Sequence, residues 1–152
     1  MASYHYLPGY FFDVSETIMR HLMRTVVYES GQFVNVEYFF HQNLPAEIGA
    51  IKLWFQKEVF LVIVKPDDDS LEITKEQIDR VLEEEGYKST QMSNEIPWKL
   101  AIGNHVRWIW ALVNQQGYLD GLQFEFADNI SQEQVIIQLI AIASRIDIKT
   151  VH

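Results

Sequence analysis

Residues 105–126 carry the pattern that most restricts what this chain can fold into. Val106, Trp108, Trp110 and Leu112 recur at every second position, and Asn114-Gln115-Gln116-Gly117 supplies a turn. Leu122, Phe124 and Phe126 then alternate with Gln123 and Glu125. Side chains two apart share one face of a strand, so the stretch reads as an antiparallel hairpin with both tryptophans on its core side. An isolated hairpin is marginal in water and needs further strands beside it. The sequence supplies them. From Phe33 to Phe40, Val34, Val36, Tyr38 and Phe40 face one way and Asn35 and Glu37 the other. Ile51, Leu53 and Phe55 alternate with Lys52, Trp54 and Gln56, while Val59 to Val64 is apolar throughout and Leu71 with Ile73 begins a short strand. The uninterrupted run reads as a central strand covered on both faces.

Helix signals are fewer. Asp13 and Glu16 have capping-box spacing, with Ile18, Leu22 and Val26 on one helical face. They predict a short helix over 13–21, and the β-branched and aromatic Thr25-Val26-Val27-Tyr28 predicts a strand over 23–29. Thr74 and Gln77 repeat the capping spacing ahead of Ile78, Val81 and Leu82, and Gly86 stands where a helix stops, giving a surface helix over 75–85. Residues 88–97 read as polar and irregular. Ser131 and Gln134 cap a last helix, in which Val135, Ile136, Ile137, Leu139, Ile140, Ile142 and Ile146 cover most of the circumference and so demand burial. The fold class expected is α+β: a single domain over 1–152, with a curved antiparallel sheet of about six strands packed by a buried C-terminal helix and one or two short helices.

Composition narrows the function. The 152 residues suit one hydrophobic core, and the absence of cysteine excludes disulfides, thiolate metal sites and a cysteine nucleophile. A net charge of −9 argues against duplex nucleic acid, whose phosphates require clustered Lys and Arg. That charge is local: residues 67–95 hold ten acids against three bases, a balance of −7, which leaves −2 for the rest. The longest nearly apolar run, Val135–Ala143, is broken by Gln138 and falls far short of the ~20 residues of a spanning helix. Residues 1–12 lack the basic and continuous apolar regions of a secretory signal. No membrane association and a cytoplasmic location are therefore expected.

No catalytic residue or cofactor is assigned. There is no nucleophile elbow, no dinucleotide fingerprint and no phosphate-binding loop, and none of the five histidines has metal-site spacing. His105 and Asp120 lie on opposing hairpin strands, yet the pairing separates them by about six residue steps, of order 20 Å. Asp67, Asp68 and Asp69 form an acidic turn of the kind that holds Mg²⁺ or Ca²⁺, although a solvated turn is the commoner use of such residues. Glu83, Glu84 and Glu85 occupy the last turn of their helix, where negative charge opposes the helix dipole. Trp54 stands on the polar side of its strand. The leading expectation is a non-catalytic protein-interaction or regulatory module. Its acidic patch faces a basic protein partner, with Glu83, Glu84, Glu85 and Trp54 as contacts and a homodimer formed through the C-terminal helix. Two alternatives are a metal-assisted hydrolase using the Asp67–Asp69 turn and a small-molecule-binding domain with an aromatic pocket between sheet and helix.

Overall fold

The computed structural model describes residues 10–65, 69–128, 130–131 and 133–151, with side chains from residue 17 onward, and it contains two antiparallel sheets. The first has five strands in the order β4-β3-β2-β1-β5: β1 (Phe33–His41), β2 (Leu44–Phe55), β3 (Val59–Lys65), β4 (Ser70–Thr74) and β5 (Tyr87–Gln91). The second has four in chain order: β6 (His105–Val113), β7 (Leu119–Ala127), β8 (Gln134–Ile142) and β9 (Arg145–Val151). Helix α1 (Tyr10–Tyr28) packs against β6 and β4, and the short α2 (Asp79–Glu84) lies beside β5.

One hydrophobic cluster joins the sheets. Val36, Ile51, Leu53, Phe60 and Val62 come from the first, and Leu122, Phe124, Phe126, Ile137 and Leu139 from the second. Trp98 knits the two together from a single 3₁₀ turn between β5 and β6. It is fully buried, with ring centroids 5.7 Å from Phe33 and 6.4 Å from both Tyr38 and Phe126.

The α+β expectation is overturned, and its C-terminal helix does not exist. Residues 134–151 form the β8–β9 hairpin, closed by Ala143 and Ser144 at φ +50° and +66°. Two successive left-handed residues make the turn whose twist matches a strand pair. A nearly all-apolar run has little period to read, and the β-branched isoleucines settle it as a strand once a neighbouring strand offers backbone partners. Ile137, Leu139 and Ala141 face the core, while Ile136, Ile140 and Ile142 face outward. A dimer through a C-terminal helix loses its basis.

Other boundaries move as well. Helix α1 runs unbroken to Tyr28, across nearly all of the 23–29 stretch where a strand was expected. Met19, Leu22 and Val26 turn one face to the core, Thr25 Oγ1 donates to the His21 carbonyl, and Ser30 Oγ donates to the Thr25 carbonyl at the helix end. Burial of that face outweighs the weak β preference of Thr and Val. Ile18, assigned to the same face, is 58% exposed. Helix α2 begins only at Asp79, because Thr74 Oγ1 accepts the Glu76 N–H in a local turn instead of capping a helix. Residues 88–91, read as irregular, belong to β5, which pairs with β1 as an edge strand, and their polar side chains face water.

Candidate functional site

The feature that sets the outer surface of the second sheet is one extra residue in β6. Val106 pairs with Phe126 and Trp108 with Glu125, so Arg107 bulges out of the ladder. A one-residue bulge reverses which face the following side chains take. Val106 and Ile109 therefore join the core, while Trp108 and Trp110 stand on the outer surface, 54% and 40% exposed. The core-facing assignment of the tryptophans is corrected by that single residue. Arg107 Nε donates to Glu125 Oε2 at 2.6 Å and its NH2 to Gln134 Oε1 at 2.9 Å, and the carboxylate raises the arginine pKa further.

Register makes this face a grid. Trp108, Glu125, Ile136 and Val151 form one row, and Trp110, Gln123, Gln138 and Lys149 the next. Leu112, Gly121, Ile140 and Asp147 form the third. Gln138 Nε2 donates to Gln123 Oε1 at 3.0 Å. A Cβ on Gly121 would meet Leu112 Cδ1 at 2.8 Å and Ile140 Cδ1 at 2.9 Å, so glycine lets those two side chains close over the strand.

The outer face of the first sheet has a different character. Phe39, Ala50 and Leu61 form a second buried cluster with Leu82 of α2. Beside it Lys52, with a side chain only 8% exposed, pairs with Asp79 Oδ2 at 2.6 Å and lies 4.6 Å over the Trp54 ring. Trp54 Nε1 donates to Glu37 Oε1 at 2.7 Å. Trp54 is thus held in a polar cluster and half-buried. Glu83 and Glu84 on α2, and Glu85 at its C-terminal cap, are exposed. Glu84 pairs with Arg80 at 3.3 Å, and neither Glu83 nor Glu85 has an ion-pair partner among the described residues. Trp54 and the acidic helix consequently share one side of the molecule, and the exposed tryptophans occupy the other.

Asp67 and Asp68 lie outside the described residues. Asp69, at φ +52°, accepts the Ser144 N–H on Oδ1 at 2.7 Å, tying the β3–β4 turn to the β8–β9 turn. Among the described residues no three His, Asp or Glu side chains converge as metal ligands. His105 pairs with Ala127 while Leu112 pairs with Gly121 near the turn, which keeps His105 and Asp120 at opposite ends of the ribbon.

A groove of about 350 Å³ opens between the β1–β2 hairpin end, β9 and the segment before Trp98. Tyr38 lines it, and its hydroxyl accepts the Trp98 indole N–H. Burial pushes the Tyr38 pKa up to about 12, against the opposing influence of that hydrogen bond. The folded value lies above the usual ~10 of an unfolded tyrosine, so the protonated phenol favours the fold. That contribution is constant below pH ~10 and is lost as pH rises from there through about 12. The difference in tyrosinate absorbance between the wild type and Tyr38→Phe should isolate this late-ionising phenol. A Tyr38 that ionises near pH ~10 would contradict its burial.

Over residues 12–152 the sequence matches the model of a family described as a family of unknown function (DUF6334). No curated protein and no solved structure matches the chain. No helix among the described residues is long and apolar enough to cross a membrane.

Proposed function

We propose that this chain, which belongs to the DUF6334 family of unknown function, is a non-catalytic module that binds a protein partner through the outer face of its four-stranded sheet. The observation that carries this reading is the pair Trp108 and Trp110, two residues apart on the outer face of β6 and both exposed. Tryptophan dominates binding hot spots because one rigid side chain removes a large area from water at low entropic cost. Ile136 and Ile140 extend the apolar surface, Glu125 is buried within it and paired to Arg107, and Arg107 and Lys149 are its exposed polar groups. The acidic helix on the opposite side adds long-range attraction for a basic partner, an effect on association rate more than on residence time.

The test is quantitative cross-linking capture from native lysate with three forms of the full chain. A Trp108→Ser/Trp110→Ser double variant should lose a partner retained by the wild type, with affinity reduced at least ~30-fold. Its melting temperature should stay close to the wild-type value, since both side chains are exposed. Reversing Glu83, Glu84 and Glu85 to lysine should slow capture of the same partner and flatten its salt dependence while leaving dissociation nearly unchanged. Undiminished capture by the tryptophan double variant sinks the reading.

A further inference from the structure

We propose that the groove beside β9 is a binding site for a small monocarboxylate with an uncharged apolar tail. Its walls are Ala46, Ile48, Met92, Ile96, Ile146 and Ile148, and its size falls at the lower end of small-molecule sites. Arg145 and Tyr38 bring hydrogen-bond donors to these walls. Arg145 Nε donates to Asp147 Oδ1 at 3.1 Å, which fixes the guanidinium plane. A guanidinium has five N–H donors, and among the described residues no other acceptor takes those of Arg145. Its terminal nitrogens are thus available to a carboxylate in the two-point geometry that arginine favours.

Tyr38 supplies the second donor. Its oxygen accepts the Trp98 N–H, so its own proton must be given elsewhere, and no acceptor for it occurs among the described residues. Both donors border the same groove, and a carboxylate has two oxygens to share between them. Asp147 lines the groove beside Arg145 and offsets part of its charge, while the apolar side chains of the remaining wall disfavour a second negative group on the ligand. The chemistry selected is a monoanion with an apolar body. The groove meets the tryptophan face only at its β9 edge and neither Trp108 nor Trp110 lines it, so each proposal has its own test.

The reporter is the indole N–H resonance of Trp98, whose partner Tyr38 lines the groove. The full chain is titrated with sodium octanoate and, in parallel, with octanamide and with suberate, the eight-carbon dicarboxylate. Octanoate should shift the Trp98 resonance saturably, with a dissociation constant on the order of 1 mM or lower. Octanamide, suberate and octanoate added to Arg145→Gln should each bind at least tenfold more weakly. Arg145 is on a half-exposed edge, so this variant should fold, and the dispersed spectrum verifies it. No saturable shift by about 10 mM octanoate overturns the proposal. Less than a tenfold loss with octanamide, suberate or Arg145→Gln overturns it equally.

Discussion

Replacing Trp98 with alanine is expected to destabilise the fold by about 3–5 kcal/mol, the cost of emptying a large aromatic site in a core that relaxes only partly. That is a large share of the roughly 5–15 kcal/mol available to a domain. The reason is position as much as size. Trp98 is fully buried and touches rings from β1 and β7, so its removal opens a hole at the junction of the two sheets. It also removes the indole N–H from the Tyr38 hydroxyl. Urea unfolding should show a lower midpoint with an unchanged slope, because the surface exposed on unfolding is nearly the same. Trp98→Phe keeps most ring contacts and should cost markedly less. An alanine variant within about 1 kcal/mol of wild type would mean that the junction is held elsewhere.

The second large effect concerns Lys52 and Asp79. Asp79→Ala should cost about 3 kcal/mol, because it takes the ion-pair partner from a buried ammonium and leaves it over the Trp54 ring, opposite Glu37 in the ladder. Lys52→Met should cost less. The Asp79 side chain is 35% exposed and heads α2, so water and the helix N-terminus still solvate it, although its Oδ1 is buried without a hydrogen-bond partner. The double variant Lys52→Met/Asp79→Ala should recover most of the loss, since an apolar pair replaces a desolvated ion pair at little net cost. An equilibrium double-mutant cycle measures this directly. Additive single effects would show that the pair is solvated and uncoupled.

Strand positions were legible wherever apolar residues alternated or ran together between turn signals. Residues 33–40, 51–55, 59–64 and the hairpin built on Phe124 all appear in the structure as strands. Two of the failures share a cause. A pattern of two or of 3.6 says which residues share a face only if no residue is added to the ladder, and Arg107 adds one in β6. A similar register shift separates Phe33 from Asn35, so Phe33 is buried while Val34 is 45% exposed. Ile136 to Ile142 gave little period, and the strand partner that decides its state lies on β7.

The candidate sites divide in the same way. The acidic segment could be read from composition, because charge is a property of residues and solvated carboxylates need no partner to be exposed. Trp54 could be noticed as out of pattern, but its tie to Glu37 and Lys52 depends on which strands are neighbours. The groove could not be read at all. Tyr38, Met92 and Arg145 meet only because β1 and β9 belong to facing sheets.

By itself, then, the sequence determined that this is a strand-rich chain with a local acidic segment and no cysteine chemistry, since those follow from residue type and short spacing. The number of sheets, the strand identity of the C-terminal residues, the outward tryptophans and the groove were decided by tertiary structure. Each rests on pairing between distant segments, where burial and backbone hydrogen bonding override local preference and one inserted residue reverses a whole face.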